Sequence, residues 1–208
     1  MRRLLAAAAV VGTVALSACS ASSEAAPLAL SASPTPQGTY RGLELDPAQP
    51  RPTFTLTDTT GKPYDFAART RGVPTLLFFG YTHCPDVCPT TMADAAAALR
   101  GTQEPLRGTV QVVFVTTDPA RDTGKVLANW LRNFDPDLPR TFVGLTGTVA
   151  QVEAAQAAAK VPVATENGQT HSAELLLYGT DDYARVAFVS GSSPDDLRHD
   201  LLLLAKGA

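Results

Sequence analysis

The chain has 208 residues, of which 45% are apolar and 18% are charged, and its formal net charge is −3. This length suits one globular domain with shorter additional segments, because domains typically run to about 100–200 residues. No apolar stretch reaches the roughly 18 residues that cross a bilayer, which argues against a polytopic membrane protein. The lack of a stripe rich in lysine and arginine argues against nucleic acid as a partner, because phosphate binding depends on clustered cations. Three cysteines are too few for a disulfide framework.

Residues 1–18 have the features of an export signal. Arg2 and Arg3 supply a positive end, and a short apolar run with small residues at its end leads to Cys19. The sequence Leu-Ser-Ala-Cys at 16–19 resembles a bacterial lipobox, which implies that Cys19 becomes the acylated first residue of a lipoprotein. An ordinary secretory signal and an uncleaved anchor are the alternatives. We expect an exported protein, lipid-anchored to the bacterial membrane with its domain on the extracytoplasmic side.

Residues 19–50 are predicted to form a flexible tether. This stretch is rich in alanine, serine and proline and has no sustained apolar period, so it does not bury enough surface to offset its chain entropy. A tether of this composition would separate the folded domain from a membrane and let it reorient. The folded domain is expected over residues 51–208.

The predicted domain alternates between short apolar runs and stretches of helical period. In chain order we predict a β-hairpin at 54–66, strands at 75–79 and 110–116, a helix at 123–134, a strand at 141–145, a helix at 148–160, a hairpin formed by 172–178 and 183–189, and a last helix from 193 onward. A further helix at 90–99 follows the first single strand. This order is typical of an α/β protein with a thioredoxin-like fold, a central mixed sheet flanked by helices, and an added N-terminal β-hairpin.

A pair of cysteines follows the first buried strand. The sequence Gly-Tyr-Thr-His-Cys-Pro-Asp-Val-Cys-Pro spans 80–89, at the carboxyl end of a strand, where α/β proteins bind ligands. Pro89 fits the first helical position, which puts Cys88 at the helix N-terminus and Cys84 in the preceding loop. The positive helix end is expected to lower the pKa of both thiols, and a thiolate either attacks a disulfide or binds a metal. A static structural disulfide and two unrelated core thiols are the alternatives.

A histidine would complete a metal site at these cysteines. Two soft thiolates suit Cu(I), and one added imidazole also makes Cu(II) tolerable. We expect His199 to face solvent on the last helix and His83 to pack in its loop without binding the metal. His171 lies on a polar loop directly before a strand, from which it could close over the cysteines. By residue type alone, a lone loop histidine is more often simply solvated, so the residues leave this ligand open.

Four stretches of the chain together resemble the Sco/SenC family of copper-binding assembly proteins. They are Gly-Tyr-Thr-His-Cys-Pro-Asp-Val-Cys-Pro-Thr at 80–90, Thr-Thr-Asp-Pro-Ala-Arg-Asp-Thr at 116–123, Phe-Val-Gly-Leu-Thr-Gly-Thr at 142–148 and Thr-His-Ser-Ala-Glu-Leu-Leu-Leu-Tyr at 170–178. The resemblance extends in consistent order over about 51–206 and implies a thioredoxin-like fold.

The resemblance also implies a metal site and a function. Carried over residue by residue, the ligands of one copper ion, as Cu(I) or Cu(II), are Cys84, Cys88 and His171. The family resemblance implies that this copper is destined for the dinuclear CuA site of cytochrome c oxidase. The implied partners are the CuA-bearing oxidase subunit and a copper-donating chaperone.

Three further residues match family positions near the implied site. Asp86 lies between the two cysteines and could tune or transiently assist binding, while Asp118 and Arg121 match a signature of loop and helix-start structure beside the site. Many family members have an aspartate directly before the ligand histidine, where this chain has Thr170. This departure calls into question what orients the ring of His171, but not its role as a ligand.

Two functions of different classes are consistent with these features. In the first, the protein is a metallochaperone that passes copper to an acceptor by ligand exchange and makes no bond in a substrate. In the second, it is a thiol-disulfide oxidoreductase in which Cys84 and Cys88 form the redox pair and reduce the cysteines of the CuA site. The Cys-x-x-x-Cys spacing differs from the Cys-x-x-Cys of thioredoxins, which favours the first function. A peroxidase of the peroxiredoxin type and copper sensing or storage are weaker alternatives.

Overall fold

The structure is a computed structural model that describes residues 39–205. The predicted export signal, Cys19 and the first part of the predicted tether lie outside the described residues. Within 39–205, no helix is both long enough and apolar enough to span a membrane.

One mixed β-sheet forms the centre of the domain. Its strands are β1 (Leu43–Pro50), β2 (Thr55–Asp58), β3 (Pro63–Asp65), β4 (Thr75–Gly80), β5 (Gln111–Thr116), β6 (Val143–Thr146), β7 (Leu175–Tyr178) and β8 (Tyr183–Phe188). They lie in the spatial order β1-β8-β7-β4-β5-β6-β2-β3. The β4–β5 and β5–β6 pairs are parallel, and the other neighbouring pairs are antiparallel.

Helices cover both faces of this sheet. They are α1 (Phe66–Thr70), α2 (Val87–Arg100), α3 (Leu106–Thr109), α4 (Gly124–Leu131), α5 (Val149–Ala158) and α6 (Pro194–Leu204). Every residue of β4 and β5 is buried, as expected for parallel strands covered on both sides. Leu76 and Phe78 pack in a core with α2, α4 and α6, whereas Leu77 and Phe79 pack in a second core with α1 and α5. The strand alternation therefore divides the apolar residues between two layers.

Several sequence predictions are confirmed by local geometry. β2 and β3 form the N-terminal hairpin, with Thr55 opposite Asp65. The Thr148 side chain accepts from the backbone N–H of Gln151, and the Gln151 side chain accepts from that of Thr148, which is the expected capping box of α5. α6 begins at Pro194 and turns Leu197, Leu201 and Leu204 into the core.

The helix that carries Cys88 begins two residues earlier than predicted. α2 starts at Val87 with Asp86 as its N-cap, so Pro89 is the third helical residue and not the first. Proline is tolerated there because the N–H groups of the first turn have no partner within the helix. Cys88 therefore lies inside the first turn. Two short helices, α1 and α3, were not predicted from the sequence, and residues 172–174 of the predicted closing hairpin precede β7.

The predicted tether is wrong for residues 43–50, which form β1. This strand pairs antiparallel with β8, and its register shifts between Glu44 and Gln49. Pro47 and Pro50 and the scarcity of apolar residues conceal the strand in the sequence. Both features suit an edge strand, where proline need not donate to a ladder and most side chains face solvent.

A buried carboxylate attaches this N-terminal segment to α6. Asp200 is fully buried and accepts hydrogen bonds from the backbone N–H groups of Arg41, at 3.0 and 2.9 Å, and of Gly42, at 2.9 Å. A buried carboxylate without such donors is costly, since it loses its hydration without replacement. The domain therefore begins before residue 43.

We predict that a chain beginning at residue 51 is less stable than one beginning at residue 39 by more than about 2 kcal/mol, because Asp200 loses its backbone donors. The free energy of unfolding in urea checks this. Asp200→Asn should destabilise the longer chain and have a smaller effect on the shorter one, in which those donors are already missing. Equal stability of the two chains, or equal effects of the substitution in both, would contradict this account of Asp200.

Candidate metal centre

The two cysteines of the motif lie in different environments. Cys84 is half-buried in the loop between β4 and α2, whereas Cys88 is fully buried in the first turn of α2. Both are free thiols, and the backbone N–H of Cys88 donates to the Cys84 sulfur at 3.4 Å. The loop places one sulfur toward solvent and the helix keeps the other in the core.

His171 lies directly beside the buried thiol. Its Nε2 is 3.4 Å from the Cys88 sulfur, and its Nδ1 is 2.8 Å from the backbone oxygen of Ser172. A carbonyl oxygen only accepts hydrogen bonds, so Nδ1 carries the proton and Nε2 presents its lone pair to the sulfur. This is the tautomer that a metal-binding imidazole needs.

Aromatic rings fix the plane of the His171 imidazole. The ring of Phe78 lies 6.0 Å away between centroids at 88°, and the ring of Tyr81 lies 5.6 Å away at 89°. Both contacts are edge-to-face, the arrangement that aromatic quadrupoles favour. The ring is therefore oriented before any ligand arrives.

Within residues 39–205, one group of three potential metal ligands converges. The sulfurs of Cys84 and Cys88 and a ring nitrogen of His171 all lie within 4.8 Å of one another. The structure thus brings together all three residues that the sequence assigned as ligands. Two thiolates with one imidazole form a soft donor set that suits Cu(I).

Gly80, at the end of β4, makes room for the buried sulfur. A Cβ atom on this residue would lie 2.7 Å from the Cys88 sulfur and 2.7 Å from the Phe78 ring. Both distances are far inside van der Waals contact, and both neighbours belong to the packed core. Glycine is therefore required here so that α2 can bring Cys88 against the strand.

The sequence comparison identifies the family. The SCO1/SenC family model matches residues 44–205. The chain belongs to the SCO1/SenC family. The resemblance that the four sequence stretches indicated is therefore confirmed.

Other proteins of similar sequence or structure support the membership of this chain in the SCO1/SenC family and its fold. The chain is 37% identical over 100 residues to the mitochondrial protein SCO2 of Saccharomyces cerevisiae, a match that covers 48% of this chain and 32% of the yeast protein. Bradyrhizobium japonicum ScoI with copper bound is 33% identical, with a TM-score of 0.62 over 74% of this chain and 98% of that chain. Apo Sco1 from Thermus thermophilus is 28% identical, with a TM-score of 0.68 over 81% and 99%. The predicted thioredoxin-like fold is confirmed.

Asp122 organises the loop in front of the cysteines in this SCO1/SenC domain. Its buried carboxylate accepts from the backbone N–H of Thr82 at 2.9 Å, from the Thr82 hydroxyl at 2.5 Å and from the Thr116 hydroxyl at 2.7 Å. These bonds join the loop after β4 to the end of β5. Sequence reasoning did not single out this residue. The available signal was an acidic residue just beyond the end of a buried strand that neighbours the motif.

Asp118 and Arg121 lie near the site but are not members of the ligand group. They pair with each other, and the Arg121 guanidinium lies 5.9 Å from the centroid of the Tyr81 ring. Because Tyr81 packs on His171, Arg121 supports the histidine only through that ring. Asp86, the third residue expected near the ligands, occupies the N-cap position of α2 without a side-chain cap bond, and its carboxylate accepts from the Thr90 hydroxyl at 3.4 Å.

The loop that carries His171 is attached to the loop after β5. The Thr117 hydroxyl donates to the backbone oxygen of Gly168 at 2.6 Å, and a Cβ atom on Gly168 would overlap the backbone oxygen of Thr117. Gly168 also has a φ of +85°, which glycine adopts without strain. Thr170 donates to Glu166 at 2.9 Å, so Ser172, and not the residue before the histidine, orients the His171 ring.

His83 and His199 are not members of that ligand group, and His199, which we expected to face solvent, is partly buried. The His83 side chain is 56% exposed, and its Nδ1 lies 3.1 Å from the Thr82 hydroxyl. His199 is half-buried and places Nδ1 2.7 Å from the Asp200 carboxylate. His199 therefore supports the carboxylate that holds the N-terminal segment.

The two thiols differ in acidity. The expectation that the pKa values of both thiols are lowered is therefore wrong for Cys88. Burial raises the pKa of the Cys88 thiol well above its ordinary value, and this outweighs its place in the first helical turn. Burial also acts to raise the pKa of Cys84, but hydrogen bonds from the backbone N–H groups of Cys88, Asp86 and Val87 together lower it below the ordinary value. Only Cys84 is activated.

We predict that iodoacetamide at neutral pH modifies Cys84 at least about tenfold faster than Cys88 in the folded chain, because the thiolate is the nucleophile. Cys84 has the lower pKa and the greater exposure. Mass spectrometry of the separate peptides measures the two rates. In urea, the two cysteines should react alike. Equal rates in the folded chain would contradict the asymmetry.

Proposed function

We propose that this chain is a copper chaperone. It binds one copper ion through Cys84, Cys88 and His171 and delivers it to the CuA site of cytochrome c oxidase during assembly of the oxidase. The observation that carries this proposal is the convergence of two sulfurs and one imidazole nitrogen within 4.8 Å. Membership of the SCO1/SenC family and the likeness to copper-bound ScoI support it. Since the match spans only 32% of the yeast relative, the activity rests on the site and not on that protein's name.

The contacts of the ligand residues suit reversible binding of copper. The Cys88 thiol is close enough to donate to Nε2 of His171, at 3.4 Å. Binding a metal ion displaces that proton and frees both the sulfur and Nε2 as ligands. The Ser172 carbonyl keeps its bond to Nδ1 throughout, so the imidazole does not need to turn. The site exchanges a proton for a metal ion with little rearrangement of the chain.

The position of the site suits transfer between proteins. A cavity of about 610 Å³ lies between α5, the loop at 117–121 and the loop at 164–169, and none of its lining residues is a ligand. The ligand group therefore lies outside that cavity. Cys84 is half-exposed, so the thiols of an acceptor can reach the bound ion and replace the chain's ligands one at a time. We propose a copper-donating chaperone and the CuA-bearing oxidase subunit as the two partners.

A second function, reduction of the CuA cysteines, is favoured by the asymmetry of the thiols. The Cys84 thiolate would attack one sulfur of an acceptor disulfide, form a mixed disulfide and release the other acceptor sulfur as a thiolate. Cys88, after its proton passes by way of Nε2 of His171 to the released acceptor thiolate, would then attack the Cys84 sulfur, close a Cys84–Cys88 disulfide and release the second acceptor thiolate. Two electrons pass from the chain to the acceptor. Cys84 is half-exposed and its thiol pKa is lowered, which suits the attacking role. Cys88 is buried and its thiol pKa is raised, which suits the resolving role.

We predict that reduced chain binds one Cu(I) tightly in an anaerobic titration against a competing chelator, and that His171→Ala weakens binding at least about tenfold, or roughly 1.4 kcal/mol. Binding weakens because the substitution removes the imidazole nitrogen that completes the ligand group. His199→Ala is the matched control, since that imidazole lies outside the ligand group, and it should leave the affinity unchanged. Weak binding, or binding indifferent to His171, would contradict copper delivery and leave reduction of an oxidised CuA domain as the function to test.

We also propose that the protein is exported and held at a membrane by lipid on Cys19, after removal of residues 1–18. Residues 20–38 then belong to the tether, which ends before β1. This arrangement would let the domain reach membrane-bound partners while it remains attached.

The anchor predicts a specific modification. In a bacterial host supplied with a labelled fatty acid, the chain should incorporate the label and partition into the membrane fraction. Cys19→Ser should abolish the label and leave the 39–205 domain folded. A labelled Cys19→Ser chain, or an unlabelled parent chain, would overturn the lipid anchor.

A further inference from the structure

His83 is an exposed imidazole directly beside the more exposed ligand cysteine. Its side chain is 56% exposed, and it precedes Cys84 in the loop after β4. It is not a member of the group whose ligand atoms lie within 4.8 Å. The residue therefore lies next to the proposed copper site without completing it.

One edge of the His83 ring is held by a chain of polar contacts. The Thr82 hydroxyl lies 3.1 Å from Nδ1 of His83 and donates its single proton to the Asp122 carboxylate at 2.5 Å. The same carboxylate lies 3.7 Å from Nδ1. Because the hydroxyl proton is already used, the Thr82 oxygen accepts from His83, and Nδ1 carries the ring proton.

This arrangement leaves Nε2 of His83 with a free lone pair. Nδ1 faces Thr82 and the buried Asp122, so the exposed part of the ring is the part that carries Nε2. A carboxylate behind one ring nitrogen is the arrangement that orients metal-binding histidines and makes them better donors. No hydrogen-bond partner of Nε2 is found among the described residues. The chain thus holds a second, exposed imidazole one residue before Cys84 in the sequence, with Nδ1 turned toward Thr82 and Asp122.

We propose that His83 is a transit ligand for copper, which binds the ion together with Cys84 while it enters or leaves the Cys84, Cys88 and His171 site. The inference rests on the proposed copper delivery and specifies its route. In the transfer step, Nε2 of His83 occupies a coordination position that His171 or Cys88 has given up, before a ligand of the partner takes it. No electron moves, and each bond to copper that breaks is replaced by another.

A transit ligand changes the rates of copper loading and release without changing the equilibrium affinity for copper. His83 is outside the resting ligand group, so its loss does not alter the stability of the loaded state. Its loss does raise the barrier between the loaded state and the complex with an acceptor, because an intermediate with too few ligands must form. Loading and release must slow by the same factor when the equilibrium constant is unchanged.

The test compares the full chain, purified in detergent and loaded with Cu(I), with its His83→Ala and His199→Ala variants. Excess chromogenic chelator removes the ion, and absorbance follows the rate. We expect His83→Ala to slow removal at least about fivefold and to change the equilibrium affinity less than about twofold. His199 is the matched control because it carries the same tautomer, with Nδ1 toward Asp200, but lies away from the cysteines. His199→Ala should match the parent chain.

A second readout detects binding at His83 itself. Ag(I) serves as a spectroscopically silent substitute for Cu(I), and imidazole ¹⁵N spectra of the full chain are recorded beyond the first equivalent. Nε2 of His83 should shift and Nε2 of His199 should not. No shift at His83, or a parental rate for His83→Ala, overturns the proposal. A loss of affinity in His83→Ala as large as that in His171→Ala also overturns it, since His83 would then be a resident ligand.

These outcomes separate the inference from the proposed function. If the parent chain fails to bind Cu(I), or if His171→Ala binds as tightly as the parent, copper delivery itself fails. If the parent binds and His171→Ala does not, while His83→Ala releases copper at the parental rate, only the transit role fails.

Discussion

The site depends on the buried carboxylate of Asp122. It accepts from both the backbone and the hydroxyl of Thr82 and from the hydroxyl of Thr116, and so it joins the loop after β4 to the end of the neighbouring parallel strand. Buried, ionised carboxylates are stable only where donors replace their water, and here three donors do so. The same bonds fix the loop that delivers His83 and Cys84. The strand pair β4–β5 therefore positions the chemistry as well as the core.

The three proposed ligands differ in how tightly the surrounding structure encloses them, and this difference suits the proposed release of copper. Cys88 is fully buried between α2 and β4, and its sulfur fits there because Gly80 has no side chain. Cys84 lies on a half-exposed loop, and His171 lies on a loop whose attachment includes the Thr117–Gly168 hydrogen bond. A site built entirely like Cys88 would retain its metal. A buried anchor with two more accessible ligands allows stepwise exchange.

The sequence was sufficient to predict those features that depend on local residue patterns or on the chemistry of individual side chains. Alternating and continuous apolar runs gave the central strands, and capping residues gave the starts of α5 and α6. The cysteine motif and His171 came from chemistry together with family resemblance. What was missed depends on tertiary contacts. β1 has few apolar residues and two prolines, so its pairing with β8 makes it a strand, and the bonds from Arg41 and Gly42 to Asp200 hold the residues just before it. The raised pKa of Cys88 likewise follows from burial, which a helix-start pattern does not reveal.

The orientation of His171 shows how the fold compensates for a residue of the family pattern that this chain lacks. Thr170 stands where many members have an aspartate, and its hydroxyl turns to Glu166. The ring is instead fixed by the Ser172 carbonyl at Nδ1 and by the edges of Phe78 and Tyr81. The Ser172 carbonyl orients the ring through one hydrogen bond and places no full charge behind it. An imidazole held by one backbone carbonyl and two ring edges is fixed in orientation while its loop stays at the surface of the core, which agrees with the proposed role of His171 as a ligand that opens during transfer.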